Sequence, residues 1–139
     1  MPKVHVFKYT ETPTFHFFNA NPKGKNASDC VVRALCVALE QDYQTTAREL
    51  LECGLEIGYA CNEDKTINEY LARKGWIRYK KPTMPNNKAM RVSGLVLRER
   101  KGTVVVKVGA HHISLIKDGV IWDTWDCSKK VAQQYWRKD

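Results

Sequence analysis

The stretch His111-His112-Ile113-Ser114-Leu115-Ile116-Lys117-Asp118-Gly119-Val120-Ile121-Trp122-Asp123-Thr124-Trp125-Asp126 decides the fold. Asp-Gly between two alternating apolar runs is a strong signal for a two-residue hairpin turn. Such a turn sets Lys117 opposite Val120, and therefore Ser114 opposite Asp123 and His112 opposite Trp125. Side chains alternate along a strand, so His112, Ser114 and Asp123 share one face, with His112 and Asp123 as diagonal neighbours. The same register sets His111 opposite Asp126 on the other face. Spacing alone does not choose between the two histidine–aspartate pairs. A carboxylate beside an imidazole fixes its tautomer and stabilises the imidazolium, although such a pair also serves as a plain structural hydrogen bond.

Far upstream, Asn26-Ala27-Ser28-Asp29-Cys30-Val31-Val32-Arg33-Ala34-Leu35 reads as a helix start. Ser28 or Asp29 is a good cap, and Val31, Ala34, Leu35, Ala38 and Leu39 form an apolar stripe that carries the helix to about Gln41. Cys30 then falls in the first turn, where unpaired N–H groups and the positive end of the helix dipole favour thiolate over thiol. Cys36 and Cys53 lack that position and read as helix packing; Cys61 and Cys127 fall in loops. A thiol used for acyl transfer also needs oxyanion donors. The backbone N–H of Cys30 is one, and Asn26, Asn21 and Asn19 are candidates for the other. Turn chemistry around Asn21-Pro22-Lys23-Gly24 accounts for the same asparagines.

Between these two pieces the pattern predicts a second helix from Thr45 or Thr46 to Gly54 or Gly58, burying Ala47, Leu50 and Leu51. A third runs over Asp64–Arg73 and ends at Gly75. Trp76–Tyr79 reads as a short strand, Lys80–Lys88 as loop, and Ser93–Arg98 as a short helix. Thr103–Val108, His112–Lys117 and Val120–Trp125 form an antiparallel meander. Val4–Lys8 is an expected edge strand, Thr10–Lys25 an irregular segment pinned by aromatic side chains, and Ser128–Asp139 a short helical turn with Tyr135 and Trp136 packed back. Helices first and sheet second is an α+β pattern. The whole chain, 1–139, is expected to be a single domain with a core of its own.

Composition narrows the function classes. Five cysteines without a CxxC pair exclude a disulfide framework or zinc ribbon on spacing. His111, His112 and Cys127 also lack metal-ligand spacing, so no metal and no cofactor is expected. The N-terminus lacks a signal peptide's apolar stretch, and no run approaches the roughly 18–20 apolar residues of a membrane span. The expected setting is the cytoplasm, away from membranes. Net charge is +8, and Lys65–Lys107 concentrates it with twelve Lys or Arg against two Glu. That stretch suits nucleic acid or an acidic host protein, or simply a solvated face.

The combination Asn21-Pro22-Lys23-Gly24-Lys25, Asp29-Cys30-Val31-Val32-Arg33-Ala34, His112-Ile113-Ser114-Leu115-Ile116-Lys117-Asp118-Gly119 and Asp123-Thr124-Trp125-Asp126 resembles small papain-like, cysteine-peptidase-like proteins of bacteriophages and Gram-positive bacteria. The likeness runs from about Phe17 to Trp136 and includes Lys74-Gly75-Trp76 and Tyr135-Trp136. More distantly the chain is similar to bacteriocin-leader peptidases. The resemblance implies a papain-like fold, N-terminal helices packed on a C-terminal antiparallel sheet, and a triad of Cys30, His112 and Asp123, with a protein or peptide as substrate. It sets His111 where such sequences often carry glycine. Their oxyanion glutamine, six residues before the cysteine, corresponds to Gly24 here. Two functions follow as expectations. One is a cytoplasmic cysteine hydrolase, peptidase- or amidase-like, cleaving an acyl or isopeptide bond. The other is a catalytically silent papain-like binding protein that uses the basic 65–107 surface.

Overall fold

The computed structural model describes residues 11–138. The strand expected over Val4–Lys8 lies outside them. In chain order the elements are β1 (Phe15–Phe17), α1 (Cys30–Ala38), α2 (Tyr43–Ile57), α3 (Asp64–Arg73), β2 (Ile77–Tyr79), α4 (Val92–Arg98), β3 (Thr103–Val108), β4 (His112–Lys117), β5 (Val120–Asp123) and β6 (Ala132–Arg137). The strands form one sheet in the order β1-β5-β4-β3-β6-β2. It is an α+β architecture, but the sheet is mixed rather than antiparallel, because β1 runs parallel to β5.

The hairpin turns at Asp118 and Gly119, both with positive φ (49° and 77°), as a tight turn of this kind requires. Its register pairs Lys117 with Val120, Ile116 with Ile121 and Leu115 with Trp122. The alternation of β3 shows how the sheet is covered. Val104, Val106 and Val108 pack with Val92, Leu95 and Val96 of α4 and with Ile116 and Ile121. Val105 faces the other way, where Val31, Ala34 and Leu35 of α1, Leu50 of α2 and Ile67 and Leu71 of α3 close over Ile113, Leu115 and Trp136. Three helices therefore cover one face and α4 the other.

The boundaries moved where local chemistry favoured another residue. Helix α1 stops at Ala38, and Glu40 takes a positive φ of 55°, short of the expected Gln41. Helix α2 starts at Tyr43 because the Asp42 carboxylate accepts the Thr45 N–H at 2.7 Å, which makes Asp42 the cap. Leu51, expected inside, is 53% exposed, while Cys53 and Thr46 are buried on the inward stripe instead. At α4 the cap position is Arg91, so Ser93 is already inside the helix.

Two larger corrections concern strands. Phe15-His16-Phe17, read as irregular, is an edge strand whose Phe15 is buried. Ser128–Asp139, read as a helical turn, contains β6, which pairs with β3 on one side and β2 on the other. Tyr135 and Trp136 do pack back, but as buried strand residues.

Candidate active site

Cys30 is the first residue of α1, so its side chain stands at the positive end of that helix. Asp29 occupies the cap position but makes no side-chain cap bond. Its carboxylate accepts Nε of Arg33 at 2.8 Å through Oδ1, and through Oδ2 the Tyr43 hydroxyl at 2.7 Å and Nδ2 of Asn21 at 2.9 Å. Burial opposes its ionisation, yet these donors hold the carboxyl below its usual range. The same burial and hydrogen bond push the Tyr43 phenol up to about 12. The entry to α1 is thus fastened by a charged network rather than by an ordinary cap.

His112 opens β4, and Asp123 closes β5, at the same end of the sheet. Nε2 of His112 and Oδ2 of Asp123 are 2.6 Å apart. The same oxygen accepts the Ser114 hydroxyl at 2.6 Å, and Oδ1 accepts the Thr124 N–H at 2.6 Å. Nη1 of Arg33 reaches Oδ1 at 3.6 Å and donates to the Thr124 hydroxyl at 3.0 Å. With Asp123 almost fully buried, four polar groups converge on one carboxylate. The Trp125 ring lies 4.8 Å from the His112 ring, covering the imidazole.

Fixing Nε2 on Asp123 leaves Nδ1 for the thiol. Burial raises the Cys30 pKa, but the His112 imidazole, the Ile113 N–H and the Arg33 charge outweigh it, and the thiol falls below its ordinary value. Burial acts against imidazolium at His112 too; hydrogen bonds and charge from Asp123 and Cys30 overcome it and raise that group to about 9. The two shifts move toward each other, which is the condition for a thiolate–imidazolium pair. The Cys30 sulfur also stands 4.0 Å from the carbonyl oxygen of His111. Burial pushes Cys36 and Cys53 up, and Cys127 to about 12.

Cys30 and His112 open onto a cleft of about 900 Å³. It is lined by the start of α1 with Asn26–Arg33, and by Tyr59, Cys61–Lys65 and Lys107. His111, exposed, lines the cleft with Trp125. Asp126 accepts the Ser128 N–H, and no bond joins it to His111 among the described residues. Of the two pairs that spacing left open, the structure joins His112 with Asp123. The asparagines divide similarly. Nδ2 of Asn21 is used on Asp29, and Asn19 bonds to the Lys25 carbonyl and the Asn21 N–H, so both are turn residues. Asn26 lines the cleft.

Sequence reading passed over Arg33, although Asp29 and Arg33 stand at the i,i+4 spacing that forms helical ion pairs. Thr124 and Tyr43 were also missed, and nothing local in the sequence marks either. Among the described residues no group of three or more His, Cys, Asp or Glu is arranged to hold a metal, and no helix is long and apolar enough to cross a membrane. No protein-family model, curated protein or solved structure matches the chain.

Proposed function

We propose that this chain is a papain-like cysteine hydrolase that cleaves an acyl or isopeptide bond in a protein or peptide, acting in the cytoplasm of the cell or host that makes it. The observation that carries the reading is Cys30 at the first position of a helix against an imidazole held 2.6 Å from Asp123. The Cys30 thiolate attacks the substrate carbonyl carbon. The carbonyl π pair moves onto oxygen, and the Cys30 N–H at the helix end stabilises that oxyanion. His112, protonated, passes its proton to the leaving amine as the carbon–nitrogen bond breaks, giving a thioester. The neutral imidazole then takes a proton from water, the hydroxide displaces sulfur, and the carboxylic acid departs. Asp123 holds the ring in place throughout.

Iodoacetamide at neutral pH tests the reading directly. Cys30 should alkylate at least roughly tenfold faster than the other four thiols, and His112→Ala should abolish the difference. Equal labelling of all five thiols would sink the proposal.

A further inference from the structure

The basic stretch read from the sequence does not stay together when the chain folds. Lys65 and Lys107 enter the cleft, and Lys107 pairs with Asp64 at 2.6 Å. Arg73 pairs with Glu56 and Glu69, and Lys74 with Glu49. Of the eight cations that remain, Lys80, Lys81, Lys88 and Arg91 lie away from the cleft and are joined by two lysines from a distant part of the chain. No Asp or Glu occurs from Lys74 through Arg98, or from Cys127 through Lys138, segments that hold seven and four cations.

These two acid-free segments are hydrogen-bonded into one platform. The Met90 N–H donates to the Pro82 carbonyl, Ala132 N–H to Met90, Val92 N–H to Lys130, and Ser93 N–H to Ser128. Nη1 of Arg91 is tied to the Lys129 carbonyl, and Arg91 bridges to Val131. Lys80, Lys81, Lys88, Arg91, Lys129 and Lys130 all stand exposed on it, and none lines the cleft. Among the described residues no carboxylate lies within ion-pair distance of any of the six side chains. Thr83, Asn86 and Asn87, also exposed, add neutral hydrogen-bonding groups.

We infer that this platform binds the phosphate backbone of nucleic acid, a function separate from the thiol chemistry. Protein interfaces are depleted in lysine and centre on aromatic or apolar anchors. Here Met84 is the one large exposed apolar side chain within Lys80–Arg91, while lysine dominates. Lysine point charges with scattered neutral polar groups are what sequence-independent phosphate contact uses.

The test is fluorescence anisotropy with labelled DNA and RNA oligonucleotides of about twenty nucleotides. The wild-type chain should bind, with a log–log salt slope of about −3 to −5 between roughly 50 and 200 mM. The triple variant Lys80→Glu, Lys81→Glu, Lys88→Glu should weaken binding at least roughly tenfold and flatten the slope by about 2–3. A charge-matched control, Lys23→Glu, Lys25→Glu and Arg48→Glu, on exposed residues away from the platform, should change affinity less than about threefold. Thermal melts confirm that both variants fold. Absence of wild-type binding, or a triple variant that binds like the control, overturns the inference. Displacement by polyglutamate as readily as by unlabelled nucleic acid also overturns it, in favour of an acidic protein partner.

Discussion

Nη1 of Arg33 lies 3.6 Å from Oδ1 of Asp123, which ties the helix that carries the thiol to the carboxylate that holds the imidazole. The same guanidinium grips Asp29, the residue before Cys30. Thiol and imidazole come from distant parts of the chain, and this fork joins the two in addition to the packing of α1 on β4. Arg33→Met leaves two largely buried carboxylates uncompensated and should cost about 3 kcal/mol of stability. Because the Arg33 charge favours the thiolate, the pH midpoint of Cys30 alkylation should also rise. Arg33→Lys keeps the charge without the fork. It should restore the alkylation midpoint while recovering only part of the stability. Equal midpoints for Met and Lys would limit Arg33 to a structural role.

Asp123→Asn separates orientation from charge. Asp123 is the largest influence favouring imidazolium at His112, so the variant should lower the imidazole pKa and raise that of Cys30. Alkylation by iodoacetamide should then shift its midpoint upward, toward that of an ordinary thiol. In the wild type, hydrolysis should rise with thiolate formation below the usual cysteine range and fall near pH 9, where His112 loses its proton. The variant should lose about 10³–10⁴-fold in kcat. A wild-type profile still rising past pH 10 would contradict the assigned pair.

Folding stability should carry the same signature. The His112 pKa is raised from 6.5 to about 9, so its contribution is fully present below 6.5 and lost as pH rises toward 9. Cys30 has the opposite sign, since a lowered thiol pKa adds stability as pH rises. Cys30→Ala isolates the histidine. Chemical denaturation of that variant should show unfolding free energy falling from pH 6.5 upward, over a window closing at or below 9. Adding His112→Asn should flatten the profile in that range. A profile already flat with His112 in place would show that Asp123 does not hold an imidazolium.

What could be read in advance depended on how local the signal was. Asp118-Gly119 needs no tertiary context to turn, so the β4–β5 register and the shared face of His112, Ser114 and Asp123 followed from period-two alternation. Asp64–Arg73 likewise carries its own apolar stripe and a Gly75 stop with φ 85°. Strand β6 has no such marker. Ala132-Gln133-Gln134 favours helix in isolation, and the strand forms because β3 and β2 offer it partners on both edges. Three residues of β1 are too few to show alternation. At the site, His112 and Asp123 share a hairpin and were legible as one of two candidate pairs, the other being His111 with Asp126. The link from Arg33 to Thr124 spans 91 positions and has no local sign.

The Tyr59–Cys61 wall of the cleft packs against Gly54, in the last turn of α2. A Cβ there would stand 2.4 Å from the backbone carbonyl oxygen of Tyr59, far inside contact distance. That loop has little room to retreat. Gly58 and Tyr59 both donate N–H groups to the Gly54 carbonyl, while the Ala60 carbonyl accepts the Thr66 hydroxyl at 2.7 Å and the Glu63 N–H. Gly54→Ala must therefore push the Tyr59–Cys61 backbone and should cost about 1–3 kcal/mol by overpacking. Tyr59 and Cys61 line the cleft, so the displacement should change the alkylation rate of Cys61 and raise KM more than it lowers kcat. Gly58→Ala is the matching control. Its Cβ meets no atom within 4 Å, but its φ of 86° is left-handed, so it should cost about 1–2 kcal/mol through strain alone. Cys61 reactivity should stay unchanged there. If both substitutions alter Cys61 equally, loosening of the helix end rather than the Gly54 contact sets the position of that wall.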